Sequence, residues 1–576
     1  MIFMGEVQVT VMTAPQHDII DSNLPNLRRI PFFSGLPEDI LTAIARKLRS
    51  EHYVKDDIVF VQGGLGNAMY LIESGQVAVV VQSGPEEKIL SYLGPGSFFG
   101  ETALLLGERR SATVRVTIDA DLLVLHKADL DELLLQYPTI SLMFSRELSR
   151  RLSFTDHRPV IVKAYNIVTV IGGSVDLLAE SVARQTGGNV LIIKLEGAHY
   201  NPTLNGRMSP YVNVIESPPG MTGSGLAELL SSQVDRYDWI LMYIMPRATE
   251  VTMKAMELAD ISVHVGPATS QWKQILAARK HWIVSDAPGE IDPLARRIAR
   301  KSVGLALSSG SARGIAHIGV LKVLHEAKIP IDMMAGTSAG ALFGGMYAAG
   351  MTIEEITGFA LDLHRKSRLT GGLWDFAVPP RSGLIRGNRT AGYLKQFLGN
   401  TRFEDLKLPM HIVATDVLSG EEVVFSEGPL VEAIRASISV IGVFTPAQVG
   451  ARHLIDGGAV NPVPTSVLAD RGADVIIASS VIPSLEDRLT RKELKREGKV
   501  PSVMGVLLGM MEVMESEIIK TRMNPANIVI RPQVEVYSAM EFDRVKEFIQ
   551  LGEDAAHRAL DQIKQLLQPQ PRERIH

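Results

Sequence analysis

The sequence predicts a multidomain chain in which a β-rich N-terminal unit is followed by two α/β units. Three observations carry this. Residues 30–152 hold short alternating apolar runs separated by glycine turns, the pattern of an all-β fold. Residues 165–300 alternate strand, helix and strand, which implies a parallel sheet with crossover helices. From Val303 the same alternation starts again around a second set of Gly- and Ser-rich turns. The length of 576 residues fits three or four domains at roughly 100–200 residues each.

Composition narrows the function classes. With 46% hydrophobic and 21% charged residues the chain reads as globular. The formal net charge is -5 and no long Lys/Arg block occurs, so no basic footprint for nucleic acid is present. The absence of cysteine excludes disulfides, thiolate catalysis and Cys-based metal sites, and no metal site is predicted. Met1 to Pro15 lacks the charged and apolar regions of a signal peptide. No apolar run approaches the ~20 residues of a membrane span. The expectation is a cytoplasmic protein, peripheral to a membrane at most.

In chain order, residues 1–29 read as a leader. Residues 30–155 form the β-rich domain, with a helix over 37–48, strands over 69–72 and 76–81, and turns at Gly63-Gly64, Gly75 and Gly94-Pro95-Gly96. A helical stretch over 127–152 closes it. Residues 156–300 form a Rossmann-like domain with strands over 166–171, 189–195, 239–244 and 261–265 and a helix over 177–185. Its first loop, Ile171 to Asp176, lacks the Gly-Lys-Ser/Thr that grips phosphates, so a spacer role is expected rather than nucleotide hydrolysis. Residues 301–576 form the last domain, with strands over 303–307, 331–335, 411–415 and 474–478. Residues 484–500 are charge-rich and read as a solvated excursion. The Met-rich run from Val503 to Met511 offers an apolar face for lipid or a plain core stripe, and the core reading is preferred.

Three segments of the last domain carry chemistry. Gly336-Thr337-Ser338-Ala339-Gly340 follows a strand and precedes a helix over 341–349, the context of a nucleophile elbow. A helix-capping serine is the plainer alternative. Ser308-Ser309-Gly310-Ser311-Ala312-Arg313-Gly314 follows a strand, and its small residues let backbone N–H groups converge as an oxyanion hole requires. A phosphate-binding or structural loop is an equal alternative. Ile455-Asp456-Gly457-Gly458 places a carboxylate at a strand end, as would an ordinary surface turn.

Joint occurrence in this order resembles the patatin-like phospholipases, most closely the neuropathy target esterase branch, over residues 303–482. The resemblance extends to Ala414-Thr415-Asp416 with Ser419-Gly420, to Ala433-Ile434-Arg435-Ala436-Ser437, and to Phe444-Thr445-Pro446. It implies a Ser–Asp dyad without a catalytic histidine. Ser338 would attack an ester carbonyl and Asp456 would take and return the proton. Gly310, Ser311 and Gly314, with Arg313 nearby, would form the oxyanion hole. His317 and His453 are assigned structural roles. The family usually carries glycines where this chain has Ser308, Ser309 and Ser311, so a position needing φ > 0 would strain the loop. Val440-Ile441-Gly442 replaces the usual Pro-Gly.

In the β-rich domain, Phe99-Gly100-Glu101-Thr102-Ala103-Leu104-Leu105 followed by Arg110-Ser111-Ala112-Thr113 supplies one carboxylate and one guanidinium beside a helix start. The stretch resembles the phosphate-binding cassette of cyclic-nucleotide-binding domains, a β-roll fold, over residues 30–152. It implies that Glu101 binds the ribose 2′-OH, Arg110 the phosphate, Gly100 and Ala103 the ligand through backbone N–H groups, and that Ser111 lies near phosphate or base. Cyclic AMP is favoured over cyclic GMP, and Arg109 stands where proline is usual. The combined expectation is a (lyso)phospholipid ester hydrolase, needing no cofactor for catalysis, regulated by a cyclic nucleotide. The alternative is a catalytically weak or inactive cyclic-nucleotide-responsive scaffold. A transcription regulator is disfavoured, because no helix-turn-helix follows residue 152.

Overall fold

The computed structural model describes Leu27, Phe33 and residues 36–83, 86–137, 139–140, 166–195, 208–285, 287–368, 373–379, 382–484 and 503–569. The predicted leader, most of the 127–152 helix beyond residue 140, and the charge-rich 484–500 segment lie outside these residues, apart from Leu27 and Ser484. The chain divides into two compact units between Ala299 and Arg300.

The first unit begins with a helix, Glu38–Ala45, and a β-roll of β1 (Arg49–Tyr53), β2 (Ile58–Phe60), β3 (Ala68–Ser83), β4 (Glu86–Leu93), β5 (Phe98–Phe99) and β6 (Thr113–His126). The two strands predicted over 69–72 and 76–81 are one. Gly75 sits at φ 87° and the pairing of β3 with β6 slips on either side of it, so this glycine makes a bulge rather than a turn. A side chain there has no room, because a Cβ would lie 2.2 Å from Asp119 O. The helix Lys127–Gln136 follows β6.

Strands β7 (Ile167–Ile171), β8 (Val190–Lys194), β9 (Val212–Glu216), β10 (Trp239–Ile244), β11 (Ile261–Val265) and β12 (His281–Val284) form a wholly parallel sheet in the order β12-β11-β7-β10-β8-β9. β7 and β10 are buried along their whole length, as expected for strands covered by helices on both faces. The β-roll packs onto this sheet's helices. Ile118 of β6 is fully buried in a cluster with Leu230, Met256 and Ile167. Lys55 Nζ donates to the carbonyls of Leu258 and Ala259 at 2.8 Å, and Lys254 pairs with Asp119.

The second unit is built on β13 (Val303–Leu307), β14 (Met333–Thr337), β15 (Met410–Asp416), β16 (Glu422–Phe425), β17 (Ala447–Val449), β18 (Arg452–Asp456), β19 (Val475–Ser479) and β20 (Ile528–Ile530), ordered β17-β18-β15-β14-β13-β19-β20. Strands β15, β14, β13, β19 and β20 run parallel, while β16 and β18 pair antiparallel with β15. Parallel neighbours end on the same side. β13 therefore delivers the Ser308–Gly314 loop, and β14 delivers Ser338, to one edge, where open α/β sheets place their ligands. Among the described residues no helix is long and apolar enough to cross a membrane.

The contact between β-roll and parallel sheet is a packed core, so cutting it should be felt globally. Ile118→Ala is expected to destabilise the first unit by about 2–5 kcal/mol. Urea denaturation followed by circular dichroism checks it, and a change below about 0.5 kcal/mol contradicts the packing described.

Candidate active site

β14 ends at Thr337, and Ser338 follows with φ 54° and ψ −115°, a conformation rarely held by a side-chain-bearing residue. Close approach allows the bend. A Cβ on Gly340 would lie 2.2 Å from Leu307 O, and one on Gly336 2.5 Å from Gly340 O. The bend is pinned from outside. Ser338 N donates to Ser437 Oγ at 2.8 Å, and the Ser437 hydroxyl donates to Val413 O at 2.6 Å. Helix Ala339–Ala348 starts at Ser338, so the positive end of its dipole lies at the hydroxyl.

Asp456 closes β18, and its antiparallel partner β15 brings it back to the same edge. Ser338 Oγ donates to Asp456 Oδ2 at 2.6 Å, and Gly458 N donates to Oδ1 at 2.8 Å. Asp456 N donates to Ser439 O, and Thr415 Oγ1 to Asp456 O. Arg435 holds Ser439 in turn: its guanidinium bonds the Ser439 hydroxyl and the carbonyls of Arg386, Gly387 and Thr445. The carboxyl is 2% exposed. Burial pushes it up to about 6, against the two hydrogen bonds that favour its charge.

In the loop after β13, Gly310 has φ 155° and Ser311 φ 52°. The amides of Gly310 and Ser311 stand at the start of the 3-10 turn Ser311–Ile315 and donate to no group among the described residues. The strain expected of a serine-rich loop thus falls on Ser311, the one of its three serines at positive φ. The other two make bonds that glycine cannot. Ser308 Oγ donates to Ser309 O and accepts from Val481 N, while Ser309 Oγ donates to Glu515 Oε1 at 2.6 Å. The expected positive charge of Arg313 is buried and matched, Nη2 donating to Glu512 Oε1 at 2.6 Å. Gly314 does not reach the cleft wall. Its Cα faces Ala339, where a Cβ would approach the Ala339 methyl to 2.2 Å.

A cleft of about 570 Å³ opens over these groups. Ser338, Asp456, Ser309, Gly310, Ser311 and Arg313 line its polar end, and Trp374, Phe376, Ile385, Phe444, Leu508 and Met511 are among its apolar residues. The run predicted as core, 503–511, is therefore not core. It starts the helix Val503–Arg522, which borders the cleft with Leu508 and Met511 and leaves Val506 and Met510 each 54% exposed. Sequence reasoning missed Glu512 and Glu515 on this helix, although acids inside an apolar run were the available signal. It also gave no role to Ser437 and Arg435. His317 is fully buried between Ser479 Oγ and Ser308 O, and burial pushes it down to about 4, so it stays neutral and braces the loop. His453 is exposed on β18.

In the β-roll, Gly100 takes φ 83° and starts the short helix Glu101–Leu106. Glu101, Ala103 and Arg110 are buried and Ser111 is exposed. Arg110 Nη1 donates to Gly100 O at 2.8 Å and Nη2 to Ala68 O at 2.7 Å, and its guanidinium lies 3.9 Å from the Phe60 ring centre. Arg109 is exposed and donates to Gly63 O.

Comparison with known proteins matches residues 305–469 to the family described as patatin-like phospholipase and residues 50–137 to the cyclic nucleotide-binding domain. The chain carries both domains, and both resemblances drawn from the sequence are borne out. It is 26% identical to an uncharacterized NTE family protein of Mycobacterium tuberculosis, over 93% of this chain and 96% of that protein. It is 30% identical to a lysophospholipase of Neurospora crassa, over 52% of this chain but 22% of that much longer protein. Among solved structures it resembles the catabolite activator protein of Thermus thermophilus, at 31% identity and a TM-score of 0.22, over 27% of this chain and 66% of that one.

The elbow leaves no space at Gly340. Gly340→Ala is expected to displace Ser338 or unfold the second unit, lowering its thermal midpoint by several degrees. Calorimetry checks this, and an unchanged midpoint would show that the close approach to Leu307 is absent.

Proposed function

We propose that this chain is a serine hydrolase that cleaves carboxylic esters of phospholipids or lysophospholipids through Ser338 and Asp456. The observation that carries the reading is the 2.6 Å hydrogen bond between them at the floor of a largely apolar cleft. Asp456 in its ionised form takes the Ser338 proton as Oγ bonds to the ester carbonyl carbon. The amides of Gly310 and Ser311 receive the oxyanion. The bond to the leaving alcohol then breaks, and that alcohol takes the proton from Asp456. Water, losing a proton to Asp456, attacks the acyl-serine and releases the fatty acid. The proton returns to Ser338.

Support for a lipid substrate comes from the family match and from the cleft's apolar wall. Phe376, Val506, Met510 and Met540, each more than half exposed, lie on or beside that wall, and this rim is read as a peripheral contact with a lipid surface. The reading is cytoplasmic.

The β-roll is read as the regulatory site, with Gly100, Glu101, Ala103, Arg110 and Ser111 as ligand contacts and cyclic AMP as the favoured ligand. Arg110 already donates from Nη1 and Nη2 to the Gly100 and Ala68 carbonyls, so a phosphate that turned its guanidinium away from them would couple binding to rearrangement.

The following experiments test the reading. A fluorophosphonate probe should label wild type at Ser338, and Ser338→Ala and Asp456→Asn should each lower ester turnover at least a hundredfold. Because the base must be ionised, kcat/KM should fall as pH drops through about 6. Met510→Asp should reduce turnover of vesicle-bound lysophospholipid and spare a short nitrophenyl ester. Full activity in both dyad variants defeats the assignment. Separately, cyclic AMP binding measured by calorimetry should be lost in Arg110→Ala. Equal affinity in that variant, or no binding by wild type, rejects the regulatory reading.

A further inference from the structure

The mechanism above leaves one buried acid of the cleft unused. Glu515 is 7% exposed on the helix Val503–Arg522 and lines the same cleft as Ser338 and Asp456. Its Oε1 accepts from Ser309 Oγ at 2.6 Å, and the Ser309 amide donates to Pro462 O at 2.9 Å. Ser309 is the residue just before Gly310. Glu515 also meets the turn that holds the aspartate. A Cβ on Gly458 would lie 2.2 Å from Glu515 Oε1 and 3.2 Å from Asp456 Oδ1, so the two carboxyls converge on one glycine. One turn earlier on the same helix, Glu512 takes Arg313 of the oxyanion loop. A single helix thus grips that loop at two points, one of them against Asp456.

We propose that Glu515 is a positioning residue for the hydrolytic site, its carboxyl fixing Ser309, and through it the Gly310–Ser311 amides, against the turn that carries Asp456. The inference rests on the hydrolase reading above and extends it to the control of the oxyanion loop. Glu515 makes no contact with the reacting atoms in this scheme.

The charge state decides how the device works. Burial first, and then the nearby charge of Asp456, push Glu515 up to about 8, although the Ser309 bond and Arg313 favour its ionised form. The titratable and charged groups around it are Asp456 on the β18 turn, Arg313 on the 3-10 turn and Glu512 on its own helix, with His364 and Asp543 elsewhere on the cleft wall. Arg313 is already matched by Glu512, which leaves it little to offer a second carboxylate. Below about pH 8 Glu515 is neutral and Asp456 is the one carboxylate beside the nucleophile. Above it, a second negative charge sits under the loop that has to receive an oxyanion. Repulsion then opposes the transition state, although the bond from Ser309 itself tightens on a charged acceptor. The sign is therefore fixed: the neutral acid supports turnover, and activity falls as pH rises through about 8.

The test uses the full chain and two readouts, kcat/KM on a short nitrophenyl ester and the rate of fluorophosphonate labelling of Ser338, each followed from about pH 5 to 10. Wild type should lose rate on the alkaline side. Glu515→Gln, which keeps the shape and cannot ionise, should lack that alkaline limb. Glu515→Ala, which frees Ser309, should fall at least tenfold below the Gln variant near neutral pH. An alkaline limb in the Gln variant that matches wild type overturns the proposal, as does a Gln variant no better than Ala. Should both substitutions fail to fold, wild type alone decides: labelling that does not slow between about pH 7 and 9 overturns it. A wild type whose Ser338 is unlabelled at every pH overturns the hydrolase reading and this inference with it. Labelling that slows on the acid side, through about pH 6, but shows no alkaline limb rejects this inference alone.

Discussion

The hydrogen bond from Ser338 Oγ to Asp456 Oδ2 joins residues 118 positions apart, and much of the second unit can be understood as the scaffold that makes it possible. A bond this local between groups this remote needs two strand ends brought to one edge. Parallel pairing of β13, β14 and β15 supplies one end, and the antiparallel return of β18 along β15 supplies the other. The elbow then needs a backbone conformation that resists side chains. Its cost, of order 1–3 kcal/mol, is met by surroundings that leave no alternative. Gly340 lies against the Leu307 carbonyl, and Ser437 ties the Ser338 amide to β15.

Burial sets the chemistry as much as proximity does. Away from water, a carboxyl is a stronger base but a less willing anion. Asp456 is held between these limits by two hydrogen bonds, which return part of the stabilisation lost with solvent. Around it, charges are arranged in opposition. Arg313 is matched by Glu512, and Glu515 stays protonated near neutral pH. His317, though close in sequence to the oxyanion loop, is committed on both ring nitrogens and buried too deeply to carry a proton at neutral pH. A histidine so engaged is a brace.

The first unit shows a different economy. Its β-roll spends a hydrophobic residue, Ile118, and a lysine–aspartate pair on the neighbouring parallel sheet. Arg110 is folded inward over Phe60, with its terminal nitrogens on backbone carbonyls. A buried guanidinium needs such acceptors whenever no anion is present, because desolvation without partners would be costly.

The sequence by itself determined the domain types and the local elements. Short alternating runs, crossover helices and the elbow at Ser338 are all written in near-neighbour pattern, and local sterics suffice to read them. It missed where local pattern is ambiguous. Gly75 looks like a turn and is a bulge, because only the partner strand decides between the two. Val503–Met511 looks like core and borders an open cleft, because periodicity shows that a face is apolar but not what lies against it. Asp456, read alone, is a turn residue. Glu515 is an acid in an apolar run until tertiary packing sets it beside Ser309 and Gly458. Those assignments belong to the tertiary structure, since burial, charge state and hydrogen-bond partner are properties of neighbours in space, and no one segment of the chain contains them.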